Sequence, residues 1–395
     1  MKVAIVVPYS WSYCGGVVEH AEEQAAALES LGIATRLLIG NDPPGAWSRL
    51  LHPRAGREEE PPDRVIPLGR SVIVPANASL ANIVLSPAAI PTLKRTLRRE
   101  RFDLVHIHEP LTPVVGPATL SFAEVPVVAT FHAAGASRWR ALAMASWGFL
   151  LDRIDARIAV SDAARRATEV YAPGEYLVIP NGVRLPPPSA SARSGQTVLF
   201  VGRHEARKGL PVLLAAWPRV HARTGARLRI IGADPLAVRL LISRSRFDER
   251  GIELLGPVSR ERLDRELAEA KLLVAPSLRG ESFGMVLTRA FASGTPVVAS
   301  DIEGYREVID RGNGRLVPPG DAESLAAAIE GLLTDETVRQ GLAAGARATA
   351  EERYAWPRIA VELRDLYSSL LGAVGQPPGR SSPSGHHATA VRAAP

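Results

Sequence analysis

Pro180-Asn181-Gly182-Val183-Arg184-Leu185-Pro186-Pro187-Pro188-Ser189-Ala190-Ser191-Ala192-Arg193-Ser194-Gly195 has no apolar periodicity and is rich in residues that break helices and strands. It reads as a linker, and the same pattern runs on both sides of it. Upstream, the apolar runs Val3–Val7, Arg36–Ile39, Leu104–Ile107, Val127–Phe131 and Arg157–Val160 alternate with helical stretches such as Val17–Leu31 and Ala88–Arg99. Downstream, Val198–Val201, Leu228–Ile231, Ile252–Leu254, Leu272–Ala275 and Val297–Ala299 do the same, with a helix over Arg260–Ala270 that Ser259 is placed to cap. Continuous apolar strands separated by helices indicate parallel sheets covered on both faces. The expectation is therefore α/β: two Rossmann-like domains in tandem, facing a cleft. Such sheets bind ligands at the carboxyl ends of their strands.

The domain bounds that follow are 1–185, a linker over 186–196, a second domain over 197–355, and a C-terminal helix over 356–372 packing back on the first domain. A disordered tail over 373–395 carries Pro, Ser, Gly and the adjacent His386 and His387. The length of 395 residues suits two cores rather than one, and 46% hydrophobic with 22% charged residues is a globular composition. One cysteine, Cys14, excludes a disulfide framework or a Cys-based metal cluster, and the default compartment is cytoplasmic. The first residues read as a buried strand rather than a signal peptide, and no stretch reaches the roughly 18 apolar residues of a membrane span. The net charge of +6 points to nucleic acids, anionic lipids or phosphorylated substrates. Lysines are few (Lys2, Lys94, Lys208 and Lys271), so each draws inspection.

Four constellations carry candidate chemistry. Gly15-Gly16 lies between the first strand and a helix, where it is either a structural turn or a place for an anion to approach the helix N-terminus. Gly202-Arg203-His204-Glu205-Ala206-Arg207-Lys208-Gly209 follows the first strand of the second half. Its basic residues suit a diphosphate; the alternative is a solvated loop. Arg279-Gly280-Glu281-Ser282-Phe283-Gly284-Met285 follows strand Leu272–Ala275. Glu281 suits sugar hydroxyls and the backbone of Ser282–Gly284 suits phosphate oxygens; the alternative is that Glu281 caps the next helix. His106-Ile107-His108-Glu109-Pro110 ends a strand, with both histidines on one face, and Thr130-Phe131-His132 ends another. Core or supporting histidines are expected there rather than zinc. The sequence contains no Asp-x-Asp pair for a carboxylate-held cation, no P-loop and no Gly-x-Gly-x-x-Gly after the first strand.

Taken together these stretches resemble the family 4 retaining glycosyltransferases, of GT-B architecture, and among them the phosphatidylinositol mannosyltransferases. Pro8-Tyr9-Ser10, Ile158-Ala159-Val160-Ser161-Asp162 and Ile179-Pro180-Asn181-Gly182-Val183 add to the likeness, which runs from Val3 to about Leu371. The resemblance implies a GDP-mannose donor, its diphosphate held by Arg203 and Lys208 with Gly16 closing on it. Glu281 would bind the sugar, with Ser282, Phe283 and Gly284 offering backbone. His132 would stand at the reacting centre, so that His132 and Glu281 are the candidate catalytic pair. The acceptor, a phosphatidylinositol-like lipid, would meet Tyr9, Asn77, Ser79 and Arg207. No metal or other cofactor is implied, and no nucleic acid.

Lys94, Arg95, Arg98 and Arg99 place basic charge on one short helix. Charge of this kind draws a protein to an anionic membrane surface, here as a peripheral protein of the inner face of the cell membrane. Three positions depart from the family pattern. Arg289 stands where a second Glu contacts the nucleotide ribose, Val18 where a polar acceptor contact is usual, and Ala76 in place of an aromatic residue. They keep other readings open: a UDP-sugar donor with a soluble or polysaccharide acceptor, a non-catalytic nucleotide-sugar binder, or an epimerase on the same fold.

Overall fold

A computed structural model describes residues 1–13, 15–45, 48, 52, 57, 59–76, 79–132, 138–187 and 195–374. The linker's 188–194 segment and the tail from 375 lie outside the described residues.

The first sheet contains β1 (Lys2–Ser10), β2 (Ala34–Gly40), β3 (Val65–Pro67), β6 (Leu104–His108), β7 (Val127–Phe131), β8 (Ala156–Ala159) and β9 (Leu177–Val178), in the order β3-β2-β1-β6-β7-β8-β9. All these pairs are parallel. An antiparallel hairpin, β4 (Val72–Ala76) and β5 (Ser79–Ile83), joins β1 where Tyr9 pairs with Ile83. The second sheet contains β10 (Thr197–Val201), β11 (Arg227–Ile231), β12 (Ile252–Gly256), β13 (Leu272–Ala275), β14 (Val297–Ser300) and β15 (Gly314–Val317). It is parallel throughout, in the order β12-β11-β10-β13-β14-β15. The ten apolar runs are strands, as expected. β1, β6, β7, β13 and β14 are buried on both faces, which is why their side chains do not alternate.

Chain direction fixes the place of the site. From β1 the chain moves outward to β2 and β3, then crosses back to β6, which leaves a crevice at the carboxyl ends of β1 and β6. The second sheet has the same crevice between β10 and β13. Gly15-Gly16 and His108 emerge at the first crevice; the basic turn after β10 and the Glu281 turn after β13 emerge at the second.

The halves share apolar contact as well as this cleft. Ala159, Val160, Ala164 and Val183 of the first half pack in the same core as Phe283, Leu287, Phe291 and Tyr354 of the second. Ser161 caps helix Asp162–Glu169 by accepting from the Ala164 N–H at 2.9 Å, and its hydroxyl donates to the Ser282 carbonyl at 2.5 Å. Glu307 accepts from the Asp162 and Ala163 N–H groups of that helix at 2.8 and 2.6 Å.

The last helix, Trp356–Val374, crosses back to the first half. It buries Trp356, Ile359, Ala360, Leu363 and Tyr367 against Val3, Ile5, Val18, Ala21, Ala25 and Leu28. The Trp356 indole N–H donates to Glu23 Oε2 at 2.5 Å, and the Tyr367 hydroxyl reaches His106 Nδ1 at 2.5 Å. Gly182 lies flat against the Trp356 ring, and a Cβ there would stand 2.4 Å from it.

Trp356→Ala opens this contact and is expected to cost about 3–5 kcal/mol. Arg364→Ala, on the exposed face of the same helix, should stay within about 0.5 kcal/mol of wild type. Urea unfolding of both variants checks this; equal losses would contradict the packing role of Trp356.

Candidate functional site in the interdomain cleft

On the second domain's side, β10 ends at Val201 and the chain turns through Gly202–Gly209. Gly209 has φ of 68°, and a Cβ there would sit 1.8 Å from the Pro276 carbonyl oxygen. Only glycine lets the basic turn lie this close to the segment leaving β13. The result is a dense ion-pair cluster. Arg203 meets Glu205 at 2.9 Å, Arg207 meets Glu205 at 2.9 Å and Glu281 at 2.5 Å, and Lys208 meets Glu281 at 2.7 Å. Both carboxylates are only 11% exposed, so the charges interact through little water. Three cations against two anions leave the cluster one charge positive.

Glu281 does not cap the following helix. Helix Met285–Ala292 begins after Gly284, at φ of 81°, with no side-chain cap. Ser277 Oγ lies 3.5 Å from Glu281 and 2.9 Å from the Tyr305 hydroxyl. Burial, and next the charge of Glu281, push the Tyr305 hydroxyl well above its ordinary value. Phe283 turns its ring into the core, edge-on to Tyr354. The Ser282 carbonyl is already engaged by Ser161.

On the first domain's side, helix Gly16–Ser30 also starts without a side-chain cap, after an extended Gly15. The space beside Gly16 is closed by Met285, whose sulfur would stand 3.1 Å from a Cβ at Gly16. Two uncapped helix N-termini, at Gly16 and Met285, thus meet across the cleft. Each brings the positive end of a helix dipole to the cleft without a side-chain cap, and their effects on an anion between them add. Two ion pairs flank this meeting point. Arg289 lies 3.3 Å from Glu19, and Arg260 pairs with Glu23. Arg289 therefore faces a carboxylate from the opposite domain. Val18 is buried among apolar neighbours, so its departure from the family pattern belongs to the core and presents no surface to an acceptor.

Beneath Gly16 lies a buried histidine array. Alternation along β6 puts His106 and His108 on one face, with rings stacked at 4.8 Å. His106 is fully engaged: Nε2 contacts Thr130 Oγ1 at 2.6 Å, while Nδ1 contacts Tyr367 and Gln24. His108 Nδ1 lies 2.9 Å from His132 Nε2. Glu109, at φ of 53°, accepts the His132 backbone N–H at 2.8 Å and so fixes the strand end that carries His132. Sequence reasoning missed His20. Its place on the first helix hides its approach to strands 80 and more residues away; its ring lies 5.1 Å from that of His132 and 5.4 Å from that of His108.

His20, His108 and His132 present ring nitrogens within 4.8 Å of one another, the grouping among the described residues that could hold a metal ion. The set differs from the His106, His108 and Glu109 that the strand motif brought to attention. Burial dominates the charge state of the whole array. It holds His106 and His132 down to about 3 and carries His20 and His108 well below their ordinary value, and neighbouring histidines add to the effect. All four are neutral at pH 7.

The remaining candidate residues are more dispersed. Tyr9 is the last residue but one of β1 and is partly buried. Asn77 lies outside the described residues, and Ser79 opens β5 opposite Ala76. Arg207 belongs to the ion-pair cluster rather than to a separate acceptor surface. Helix Ala89–Glu100 exposes Arg95, Arg98 and Arg99, with Leu93 buried beneath. Lys94 is partly buried, its ammonium 4.8 Å from the Phe122 ring centre, so it contributes less to the basic face than its sequence position suggests. Arg98 lies 3.4 Å from Glu124. No helix among the described residues is long and apolar enough to cross a membrane.

Comparison with known proteins bears on the family and the fold. Residues 14–185 match Glycosyltransferase Family 4, and residues 195–335 match Glycosyl transferases group 1. The chain is 36% identical over 388 residues to a phosphatidyl-myo-inositol mannosyltransferase of Mycolicibacterium smegmatis, covering 94% of this chain and 95% of that one. It is 29% identical over 419 residues to a glycogen synthase of Mycobacterium tuberculosis, covering 96% and 97%. Among solved structures, HepE of Anabaena in complex with UDP superposes with a TM-score of 0.70 at 22% identity, over 93% of this chain and all of that one. Sucrose-phosphate synthase of Thermosynechococcus elongatus gives 0.70 at 22%, over 94% and 99%.

The neutral histidines give a pH dependence with a definite sign. Their folded pKa values lie below the unfolded value of about 6.5. The stability they permit is therefore complete above that value and is lost as pH falls towards the folded values, because unfolding then takes up protons. Each imidazole contributes at most about 1.4 kcal/mol per pH unit in that window. Urea unfolding at pH 7.5 and pH 5.5 should show a clearly lower midpoint at the acid value, and a constant midpoint would contradict the buried neutral array.

Proposed function

The chain belongs to glycosyltransferase family 4 and is a glycosyltransferase of GT-B architecture, and on that premise we propose that it transfers mannose from GDP-mannose to a phosphatidylinositol-type lipid with retention of configuration. The observation that carries the reading is the meeting of Arg203, Lys208 and Glu281 with two uncapped helix N-termini at facing strand-end crevices. This arrangement suits a diphosphate with a sugar attached. The acceptor is inferred from the relatives at 30–36% identity, whose names give that activity.

Within this reading Arg203 and Lys208 hold the diphosphate and stabilise it as it leaves. Charge neutralisation by these cations is the reason for proposing that no metal takes part. Glu281 accepts hydrogen bonds from the sugar hydroxyls, and Ser282, Phe283 and Gly284 offer backbone to the donor. The neutral His132 ring acts as a hydrogen-bonding partner at the reacting centre rather than as a cationic acid. Double displacement would need two carboxylates flanking the anomeric carbon; Glu281 is the one carboxylate assigned to the sugar here, so the reaction proposed is front-face. The acceptor is assigned to Tyr9, Asn77, Ser79 and Arg207 on the family resemblance alone. Arg95, Arg98 and Arg99, with Lys94, draw the enzyme to the anionic inner face of the cell membrane.

Arg289 motivates a second reading. An arginine cannot accept a hydrogen bond from a ribose hydroxyl, and it is engaged with Glu19, so the nucleotide contact differs from the family pattern. The second reading is a UDP-sugar donor with a soluble or polysaccharide acceptor.

The test is transfer of labelled sugar from a panel of nucleotide sugars to vesicles containing phosphatidylinositol and, separately, to soluble glycans. GDP-mannose with the lipid should give product, and its anomeric proton should report retention. Arg203→Ala and Lys208→Ala should each weaken GDP binding at least about tenfold, as loss of a charged hydrogen bond worth about 1.5–3 kcal/mol implies. His132→Ala should reduce turnover far more than donor affinity. Transfer only from a UDP-sugar to a glycan would establish the second reading, and an inverted product would remove the proposed mechanism.

A further inference from the structure

The ion-pair cluster contains more than a set of cations waiting for a diphosphate. Arg207, Lys208 and the Ser277 hydroxyl all converge on one atom of Glu281, Oε1, at 2.5, 2.7 and 3.5 Å. A carboxylate oxygen receiving two cationic donors stands where an anionic phosphate oxygen would be received. Glu205 is arranged differently. Its two oxygens are divided between Arg203 and Arg207, one to each guanidinium at 2.9 Å, so it bridges the arginines from behind. Taking Arg207 and Lys208 out of water without anions would carry a heavy desolvation penalty, so carboxylates must accompany them in the absence of ligand. When a diphosphate arrives, one of those carboxylates becomes superfluous.

The backbone marks which one is free to turn. The Glu281 turn lies between Gly280 at φ of 75° and Gly284 at φ of 81°. It is backed by Gly304, where a Cβ would lie 2.2 Å from the Glu281 carbonyl oxygen. The main chain of Glu281 is thus held from one side while its side chain projects into the cleft. The shift needed is a side-chain rotation, with no rebuilding of the turn.

We propose that Glu281 occupies the place of the donor diphosphate in the free enzyme and is released towards the donor sugar when the diphosphate displaces it, while Glu205 stays in place as the residue that positions Arg203 and Arg207. The inference rests on the reading of this cleft as a nucleotide-sugar site. It adds a residue, Glu205, and an order of events to that reading. The donor's phosphates and its sugar then cease to be independent contacts, because capture of the first frees the carboxylate that meets the second.

The two carboxylates give opposite outcomes on titration with sugar-free anions. Inorganic pyrophosphate and GDP are titrated calorimetrically into wild type, Glu281→Gln and Glu205→Gln. Glu281→Gln removes the competitor and should bind both anions more tightly, on the order of tenfold. Glu205→Gln should bind them no more tightly than wild type, since it loses the bridge that aims the arginines. GDP-mannose should bind wild type better than GDP does, and that advantage should shrink in Glu281→Gln.

Unchanged or weaker GDP binding by Glu281→Gln would overturn the proposal. Equal tightening in both variants would also overturn it, because any lost negative charge would then serve. If wild type binds neither anion, the nucleotide-sugar reading of the cleft fails as well. Melting curves report whether each variant is folded. If Glu281→Gln is not, Glu281→Asp, one methylene shorter, should show a smaller tightening in the same direction, and its absence would count against the proposal.

Discussion

A cationic turn can be buried in a protein only together with its counterions, and the cleft described here is organised by that constraint. Arg207 and Lys208 are largely hidden from solvent, at 14% and 17% exposure. Their charges cannot be left unpaired at that depth. The second domain meets the requirement by bringing two strand ends together. The turn after β10 supplies the cations and Glu205, and the turn after β13 supplies Glu281. The glycine at 209 lets the two turns approach without collision, since a Cβ there would meet the Pro276 carbonyl. Parallel pairing of β10 with β13 is what makes these ends neighbours, so the electrostatics of the site follow from the sheet order.

The first domain contributes a different kind of environment. Its crevice is lined by imidazoles that burial keeps uncharged and that offer hydrogen-bonding capacity, while its carboxylates Glu19 and Glu23 are paired with Arg289 and Arg260. That neutrality depends on the wall of apolar residues formed by the first and last helices. The last helix belongs by sequence to the end of the chain, yet it completes the core of the first half. Tyr367 and Trp356 tie it to His106 and Glu23. Ion pairs from Glu19 and Glu23 to Arg289 and Arg260 then set the first helix against the second domain. Distances across the cleft are thereby coupled to the packing of both halves.

Much of this was legible in the sequence because buried parallel strands declare themselves as unbroken apolar runs. Strands such as Val127–Phe131 and Leu272–Ala275 could be bounded to the residue. The short edge elements could not. β3, β9 and β15 have two to four residues with few apolar positions, and the β4–β5 hairpin contains a proline, so none has a periodicity to detect. The grouping of Arg203, Arg207, Lys208 and Glu281 was foreseeable from strand–turn–helix spacing. Two features were not. Glu205 reads as one more polar loop residue, and only the fold shows it between two arginines. His20 lies on a helix whose pattern is satisfied by its apolar neighbours, and its meeting with His108 and His132 is a property of tertiary packing alone. The role of Glu281 as a helix cap was a fair alternative until the helix start at Met285 removed it.

The central claim is that the cations of the turn after β10 form a diphosphate site whose present occupant is the protein's own carboxylate. The most direct measurement is a crystal structure of the chain with GDP bound. The account expects phosphate oxygens within hydrogen-bonding distance of Arg203 and Lys208, Glu205 still bridging the two arginines, and Glu281 turned away from Lys208. A nucleotide seated elsewhere, or one bound while Glu281 keeps its contact with Lys208, would contradict it.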